Sequence, residues 1–409
     1  MGGLSARSSG RKFAELPPTP DPSPPLRGRR GEGRYRTRMT ANPMTTSPLI
    51  LLAAGGTGGH LFPAEALGVE LIRRGLRVRL ATDGRALRYS GLFSRDTIDV
   101  VPSATVRGRS PWSLARTGVM LAAGTAVSLN LMRRLKPAAV VGFGGYPTVP
   151  PLIAAALLGA PSVLHEQNAV IGRANRFLAP RVSRIATGFP ELKGLAPALA
   201  AKARYTGNPV RPAVIEAAAA PYPAFNEGRL NLLVTGGSQG ARVMADIVPA
   251  ALALLSVDQR ARLRLTMQAR GEDKARVAAA CAAMNFPVEI ADFFADLPAR
   301  IARAHLVVGR SGASTVSELA VIGRPSILVP FPHALDQDQA ANAAILAVVG
   351  AATVTPQSEF TPERLADNLR SALADPAALA RQAAAARSVG VANAAERLAD
   401  LVLEIARPA

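Results

Sequence analysis

Hydroxyl, carboxylate and amide side chains that suit a nucleotide sugar occur together in the C-terminal third of the chain. They are Ser314, Thr315, Glu318, Gln339 and Asn342. Hydroxyls and backbone N–H groups at a helix start suit a pyrophosphate, and a carboxylate one turn later suits the vicinal hydroxyls of a ribose. This spacing predicts a nucleotide-sugar site, although each polar residue taken alone is explained as well by ordinary solvated surface.

Four glycine-rich turns follow apolar runs, at 55–59, 142–145, 236–240 and 309–312. Because glycine has no Cβ, its backbone N–H groups can approach a phosphate, and the following helix directs its positive end toward it. The first and third turns fit neither GxxxxGK[ST] nor GxGxxG with an acid about 20 residues later, which disfavours ATP hydrolysis and nicotinamide binding. Close strand-to-helix packing explains one such turn, but four of them indicate a phosphorylated ligand.

Short apolar runs alternate with segments of helical spacing, which predicts strands between helices. The runs at 48–54 and 230–234 each lead through a glycine turn into a helix. Further strands are predicted at 78–81, 139–141, 162–165, 184–187, 263–267, 306–308 and 326–329. Continuous apolar strands are typical of parallel sheets covered on both faces. The fold class is therefore α/β, and a ligand belongs at the carboxyl ends of the strands, between two halves.

The length of 409 residues exceeds what one core supports, so two domains are expected. Residues 1–47 lack hydrophobic periodicity and are predicted to be a disordered basic tail. Two other interpretations of this segment are a basic arm that binds anionic lipid and a translation start assigned too early, with Met39 or Met44 as the true first residue. The domains are predicted at 48–211 and 212–390, divided near Arg211 before a helix-poor connection, and a C-terminal helix over 391–409 is a candidate for packing back on the N-terminal domain.

Composition restricts the class of protein. The chain is 49% hydrophobic and 19% charged, which excludes a wholly disordered protein. A single cysteine, Cys281, and the lack of an apolar leader disfavour a secreted protein stapled by disulfides and favour the cytosol. The net charge of +19 raises nucleic acid or an anionic membrane as partners, but aromatic residues are only 4% and no nucleic-acid-binding motif occurs. Glycine and proline interrupt the longest uncharged stretch, 138–164, so no spanning helix is predicted.

Six motifs in fixed order resemble the MurG family, the bacterial peptidoglycan N-acetylglucosaminyltransferases. They are GGTGGH at 55–60, HEQNAVIGRANR at 165–176, TGNPVR at 206–211, TGGSQGA at 235–241, GRSGASTVSEL at 309–319 and PFPHALDQDQAANA at 330–343. The resemblance covers nearly all of residues 48–405 and leaves the tail outside. It implies a GT-B fold, with two Rossmann-like domains whose parallel sheets face each other across a cleft.

The resemblance also implies an inverting transfer of GlcNAc from UDP-GlcNAc to the muramyl O4 of lipid I, giving lipid II for the cell wall. No metal or other cofactor is expected, since no DxD motif lies at a plausible strand end and no cluster of His and Cys ligands occurs. Helix dipoles and N–H groups must then hold the departing UDP. The donor contacts implied are Thr57, Gly58, Gly59, Asn168, Arg211, Ser238, Gln239, Phe294, Ser314, Thr315, Glu318, Gln339 and Asn342, with Glu318 on the ribose.

Inversion needs a base that takes the proton of the attacking hydroxyl. Among His60, His165, His305 and His333, His60 directly follows an N-terminal glycine turn that faces the cleft, and its ordinary pKa near neutrality suits a base. Two other roles for His60 stay open, which are holding the loop geometry and binding the acceptor diphosphate. Glu166 is the second candidate base, and His305 is expected to be packed.

A polyprenyl acceptor requires contact with a membrane. The stretch 107–134 combines apolar side chains with arginines, and a cationic apolar surface suits an anionic leaflet. Most of its apolar stripe is expected to be core, with Trp112, Arg109 and Arg116 as the exposed contact. The expected location is the cytoplasmic side of the inner membrane, as a peripheral protein.

Two rival functions remain at this stage. One is another UDP-sugar enzyme of the same architecture, such as a lipid glucosyltransferase or an epimerase. The other is a nonenzymatic binder of membrane or nucleic acid that acts through its charge, for which Glu318 would be dispensable.

Overall fold

Seven parallel strands form the sheet of the N-terminal lobe in the computed structural model, which describes residues 47–55, 58–84, 93–104, 110–237, 240–332 and 338–407. They are β1 (Leu49–Ala53), β2 (Arg77–Thr82), β3 (Ile98–Val100), β4 (Ala139–Gly142), β5 (Ser162–Glu166), β6 (Arg184–Thr187) and β7 (Ala203–Tyr205). Their order is β3-β2-β1-β4-β5-β6-β7. The central strand β1 is wholly buried and pairs with β2 and β4, Ile50 lying opposite both Val78 and Ala139.

The C-terminal lobe repeats this plan with six parallel strands within the same described ranges. They are β8 (Leu230–Thr235), β9 (Leu263–Gln268), β10 (Val288–Ala291), β11 (Leu306–Gly309), β12 (Ser326–Leu328) and β13 (Ala352–Val354). Their order is β10-β9-β8-β11-β12-β13. Two parallel-sheet, Rossmann-like lobes confirm the α/β class and the GT-B architecture predicted from the sequence.

Helices connect the strands of each lobe. In the N-terminal lobe they are α1 (Gly58–Arg73), α2 (Pro111–Leu135), α3 (Val149–Leu157) and α4 (Arg173–Leu178). In the C-terminal lobe they are α5 (Pro212–Ala218), α6 (Arg242–Ala253), α7 (Val257–Ala261), α8 (Gly271–Ala282), α9 (Leu297–Arg303), α10 (Ala313–Ile322), α11 (Asp338–Val348), α12 (Pro362–Ala374) and α13 (Pro376–Ser388). The last helix described is α14 (Ala394–Ile405).

All four predicted glycine turns follow the strands at which the strand order of a sheet reverses. In the N-terminal lobe these strands are β1 and β4, and in the C-terminal lobe they are β8 and β11. Loops at the carboxyl ends of such neighbouring strands diverge to opposite faces of the sheet and leave a crevice between them. The chain therefore brings its glycine turns to the two places where this fold binds ligands.

The helix α14 closes the chain on the N-terminal lobe. Its buried side chains Leu398, Leu401 and Val402 join the core beneath α1 and β4, and Arg74 of α1 pairs with Asp400 at 2.6 Å. The chain crosses between the lobes twice, near Gly207 and near Val391. The two crossings lie side by side, because a Cβ added to Gly207 would lie 2.8 Å from Val391. Positive φ at Gly207 and this contact both favour glycine there.

The segment before β8 differs from the sequence prediction. It was expected to be a helix-poor connection, but it begins with α5, whose Val214 is buried in the core of the C-terminal lobe. This helix packs on α9 and α10. Proline at its first position supports a helix start because the fixed φ suits the first turn and no N–H is lost.

Candidate functional site

Glu318 and Arg211 meet between the two lobes. Glu318 lies on α10 and is only 6% exposed, and Arg211 Nη2 lies 3.4 Å from its Oε1. Burial raises the pKa of the Glu318 carboxyl, and the charge of Arg211 opposes that rise. The Arg211 guanidinium also stacks 4.2 Å above the ring of Phe62 on α1. One arginine thus joins α1 of the N-terminal lobe to a carboxylate of the C-terminal lobe.

The N-terminus of α10 offers unpaired backbone donors to the cleft. Its N-cap is Gly312, which supplies no side-chain cap, and Ser314 and Thr315 are half-buried in the first turn. The first N–H groups of a helix have no partner within it, and its dipole makes this end positive. The arrangement suits an anionic group next to Ser314 and Thr315.

Gln339 and Asn342 lie at the start of α11, next to that helix end. Ser311 Oγ donates to the carbonyl oxygen of Gln339 at 2.8 Å, and Gln339 Oε1 accepts from Phe331 N at 3.0 Å. Asn342 is fully buried: its Oδ1 accepts from Ala169 N at 2.8 Å. Its Nδ2 donates to Asn168 Oδ1 at 3.0 Å and to Ser311 O at 3.3 Å. In this structure the Asn342 amide therefore ties the lobes together.

Phe294 lies in the segment that follows β10. Its ring is buried and the guanidinium of Arg300 lies 4.2 Å above it. Arg300 in turn pairs with Glu289 at 2.6 Å and with Asp296 at 2.7 Å. These contacts fix the backbone around Phe294.

His60 is the third residue of α1 and lies half-buried under the turn after β4. Its Nδ1 is 2.8 Å from both Phe143 O and Gln167 Oε1. Burial lowers the pKa of His60, and the two hydrogen bonds partly oppose this. The imidazole is therefore held neutral at neutral pH, as a proton acceptor must be.

The second candidate base, Glu166, is buried at the end of β5 and its carboxylate is occupied. Oε1 accepts from Asn168 N at 2.9 Å, and Oε2 accepts from Gly172 N at 3.0 Å and from Asn175 Nδ2 at 2.7 Å. Burial raises the pKa of the Glu166 carboxyl against these bonds. The contacts make Glu166 the anchor of the loop 166–172, which carries Asn168 to the other lobe.

The other two described histidines are packed. His165 is fully buried on β5, where burial lowers its pKa to about 4, and its Nε2 lies 3.2 Å from Gly207 O at the lobe crossing. His305 Nδ1 accepts from Asn231 N at 2.9 Å, and its Nε2 lies 3.2 Å from Ala224 O. Both rings thus hold backbone rather than line the cleft.

Gly58 and Gly59 begin α1 directly before His60. Several other predicted positions lie outside the described residues, which are Thr57, Arg109, Ser238, Gln239, His333 and the tail 1–46. Among the residues that the structure describes, no group of three or more His, Cys, Asp or Glu side chains could hold a metal ion.

Two buried glutamines support the site and were not predicted from the sequence. Gln268 ends β9; its Oε1 accepts from Thr235 Oγ1 at 2.9 Å and from Gly236 N at 3.1 Å, and its Nε2 donates to Gly237 O at 3.1 Å. Gln167 follows β5 and contacts His60. The only available signal was their position directly at the end of an apolar strand, the edge at which ligands bind.

The helix α2 buries small residues together with Leu131 and Met132 and exposes several other apolar side chains. Thr117, Gly124 and Ser128 face inward, and a Cβ at Gly124 would lie 2.0 Å from Pro102 O. Trp112 is 81% exposed and Val119 is 68% exposed. This corrects the expectation that most of the apolar stripe is core: Val119, Met120 and Val127 are exposed as well as Trp112 and Arg116. No helix in the described part of the chain is long and apolar enough to cross a bilayer.

Both halves of the chain match a known domain family. Residues 50–187 match the glycosyltransferase family 28 N-terminal domain, and residues 231–398 match the glycosyltransferase family 28 C-terminal domain. The chain is 64% identical over 365 residues to the UDP-N-acetylglucosamine--N-acetylmuramyl-(pentapeptide) pyrophosphoryl-undecaprenol N-acetylglucosamine transferase of Nitrobacter winogradskyi, covering 89% of this chain and 99% of the relative. It is 63% identical to the enzyme of that name from Rhodopseudomonas palustris strain HaA2, covering 89% and 100%.

Solved structures agree. The crystal structure of Acinetobacter baumannii MurG superposes with a TM-score of 0.70 at 30% identity, covering 87% of this chain and 99% of that one. A glycosyltransferase of kitacinnamycin superposes with a TM-score of 0.64 at 18% identity, covering 88% and 100%, which supports the fold alone. The chain therefore belongs to glycosyltransferase family 28 and, within it, to the MurG family.

Proposed function

We propose that the protein transfers GlcNAc from UDP-GlcNAc to the muramyl 4-hydroxyl of lipid I, forming lipid II for peptidoglycan with inversion at the anomeric carbon. The observation that carries this is the 64% identity to a transferase of that name, across 99% of the relative's length. The geometry supports it, because a helix N-terminus, a buried carboxylate and a neutral imidazole lie around the cleft between two lobes.

The C-terminal lobe is proposed to bind the donor. The unpaired N–H groups at the start of α10, with Ser314 and Thr315, would hold the diphosphate. Glu318 would accept hydrogen bonds from the ribose hydroxyls, and Arg211 lies 3.4 Å from it on the side of the N-terminal lobe. Backbone dipoles and Arg211 then stabilise the charge that develops on UDP as the glycosidic bond breaks. Gln339 is proposed to contact the sugar hydroxyls.

The other predicted donor contacts remain proposals, and a different observation supports each of them. Asn168 faces the cleft from the loop anchored by Glu166 and is hydrogen-bonded to Asn342. Because both polar atoms of the Asn342 amide are used between the lobes, its proposed contribution is to hold Asn168 and Ser311 in place for the donor. Phe294 is buried, so its proposed contact with the donor is through its backbone.

His60 is proposed as the base. An inverting displacement needs one group to take the proton of the acceptor hydroxyl while UDP leaves from the opposite face. His60 is neutral and both of its hydrogen bonds to described residues use Nδ1, whereas both oxygens of Glu166 already accept hydrogen bonds. Glu166 is therefore better suited to positioning the loop 166–172 than to proton transfer.

The exposed face of α2 is proposed to contact the membrane that carries the acceptor. It presents Trp112, Val119, Met120 and Val127 beside Arg116, and α2 contains no acidic residue. An apolar face with cations and without carboxylates suits adsorption to an anionic leaflet. The proposed location is peripheral, on the cytoplasmic side of the inner membrane. Co-sedimentation with anionic vesicles measures this contact.

The experiment that tests the function is transfer of radiolabel from UDP-GlcNAc to a lipid I analogue in the presence of EDTA. The expected result is labelled disaccharide product with inverted anomeric configuration, and little product from UDP-glucose or UDP-GalNAc. Absence of transfer, or transfer only after a divalent cation is added, would contradict the proposal. Preference for UDP-glucose would favour a lipid glucosyltransferase instead.

A further inference from the structure

Gln167 is the buried amide that contacts His60. It is 3% exposed, and its Oε1 lies 2.8 Å from His60 Nδ1. Its Nε2 donates to Phe143 O at 2.7 Å, and that carbonyl oxygen also lies 2.8 Å from His60 Nδ1. The three groups form a closed cluster between α1, the turn after β4 and the end of β5.

This cluster determines which ring nitrogen of His60 carries the proton. The Phe143 carbonyl accepts from the Gln167 amide, so the Gln167 Nε2 must face Phe143 and the Oε1 must face His60; a flipped amide would place two oxygens against each other. Nδ1 of His60 therefore faces two acceptors and must be protonated. In a neutral imidazole the lone pair is then on Nε2.

The lone pair of His60 Nε2 faces space that a glycine keeps clear. A Cβ added to Gly145 would lie 3.4 Å from Nε2, and Gly145 has a φ of +73°. Positive φ is strained for other residues, so the backbone conformation favours glycine. A side chain at this position would cover the nitrogen that must reach a hydroxyl.

The backbone of Gln167 is in turn fixed to the donor lobe. Its carbonyl oxygen accepts from Asn208 Nδ2 at 2.9 Å, and the same Nδ2 lies 3.0 Å from Ser317 Oγ on α10. Asn208 is 5% exposed, so these bonds are made away from water. The residue that orients His60 is thus separated by one side chain from the helix proposed to hold the diphosphate.

We propose that Gln167 is a positioning residue for the reaction: its amide holds His60 with the proton on Nδ1 and the lone pair on Nε2, directed at the space beside Gly145. Its Oε1 accepts a hydrogen bond from Nδ1–H and stabilises the imidazolium that forms when Nε2 takes the proton of the attacking hydroxyl. This deepens the proposed function and rests on it for the use of His60 as the base.

An amide and a carboxylate at position 167 would have different effects on the pKa of His60. A carboxylate at 167 would favour imidazolium and raise the pKa of His60, whereas the neutral amide orients the ring and leaves burial to lower the pKa. Besides His60, the titratable groups on the packed elements are His165 and Glu166 of β5, Tyr146 after β4, and Glu65, Glu70 and Arg73 on α1 itself. Glu166 is directed into its own loop, and His165 is neutral because its pKa is about 4.

The test uses two variants, Gln167→Met and Gln167→Glu, in the full-length protein. The pKa of His60 is measured by NMR titration of histidine-labelled protein, in which one of only four histidine signals disappears in His60→Ala. Gln167→Met removes a bond that raises this pKa and should lower it, while Gln167→Glu adds a negative charge and should raise it. The acid limb of kcat/KM should move in the same two directions.

Gln167→Met should also lower kcat by about 10- to 100-fold, the usual effect of one hydrogen bond to a charged group, with little change in KM for UDP-GlcNAc. Gln268→Met removes the corresponding buried amide of the other lobe and should alter UDP affinity without moving the His60 pKa. A His60 pKa that stays in place in both Gln167 variants would overturn the proposal. If that pKa moves and the acid limb does not, the positioning contact stands and the assignment of His60 as the base is wrong.

Discussion

Each lobe has a buried glutamine beside its first glycine turn, but the two glutamines hold different groups. In the C-terminal lobe Gln268 hydrogen-bonds the turn itself, through Gly236 N and Gly237 O. In the N-terminal lobe Gln167 instead holds a side chain of the following helix, the imidazole of His60. One amide thus keeps a backbone cradle in shape, and the other orients a group that can exchange a proton.

This difference shows how one fold, present twice, divides a group-transfer reaction. The C-terminal lobe offers the N–H groups at the start of α10 and the Glu318 carboxylate, which are proposed to bind a diphosphate and a ribose without a change of charge. The N-terminal lobe places an imidazole under a glycine turn, where burial keeps it neutral. Binding and proton transfer are therefore assigned to opposite walls of the cleft.

Removing the imidazole is the most severe way to break this division. His60→Ala should lower kcat by about 10²- to 10⁴-fold, the range attributed to general base catalysis, because the variant lacks the group proposed to take the proton of the acceptor hydroxyl. The dissociation constant for UDP, measured by calorimetry, should change little since the donor is proposed to bind on the other wall. A thermal unfolding temperature close to that of the parent serves as the control for folding.

The opposite result would assign His60 to binding. If His60→Ala retains the pH profile of the parent and loses only affinity for the acceptor, His60 contacts the acceptor diphosphate or holds the loop. Base and binding roles are thus separated by kcat and KM measured across the pH range.

Removing the carboxylate of the donor wall should have the converse effect. Glu318→Gln should weaken UDP binding by about 10- to 100-fold, because hydrogen bonds to a charged acceptor contribute about 1.5–3 kcal/mol. The acid limb of kcat under saturating donor should stay where it is in the parent. Unchanged UDP affinity in Glu318→Gln would argue against Glu318 as the ribose acceptor and in favour of a charge-driven, nonenzymatic binder.

The same residue predicts a pH dependence of donor binding. Burial raises the pKa of Glu318, so the ionised form that accepts both ribose hydroxyls is lost at a higher pH than for an exposed glutamate. UDP affinity in the parent should therefore fall as the pH is lowered through that raised pKa. In Glu318→Gln this part of the pH dependence should be absent.

The sequence predicts the centre of each sheet better than its edges. The nine strands with continuous apolar runs, such as β1 and β8, lie within about two residues of their predicted positions. The four that it misses are β3, β7, β10 and β13, which are the outer strands of the two sheets. Each outer strand pairs on one side only and is partly exposed, so its sequence mixes polar with apolar residues, as in Ile98–Val100.

The sequence also predicts only part of the candidate site. The motifs single out His60, Glu166 and Glu318. They do not show that the Glu166 carboxylate is hydrogen-bonded within its own loop or that the Asn342 amide is hydrogen-bonded between the lobes. The Asn342 pairing joins residues 173 positions apart. The Glu166 pairing with Gly172 spans only 6 positions but depends on the shape of the folded loop. Which face of α2 is buried was also not predicted, because its inner face places the small residues Thr117, Gly124 and Ser128 beside Leu131 and Met132. At Gly124 the close approach of Pro102 O favours a small residue over a large apolar one.

The smallest expected effect concerns the outer surface of the N-terminal lobe. Arg116→Gln on α2 should weaken binding to anionic vesicles by about fivefold, since one cation near a charged leaflet contributes about 1 kcal/mol. Arg264→Gln removes the same charge from an exposed position on β9 and should leave vesicle binding nearly unchanged. UDP affinity should be equal in both variants and the parent. Equal losses of vesicle binding in the two variants would mean that the net charge of the whole protein attracts the membrane. The exposed face of α2 would then not be the membrane contact.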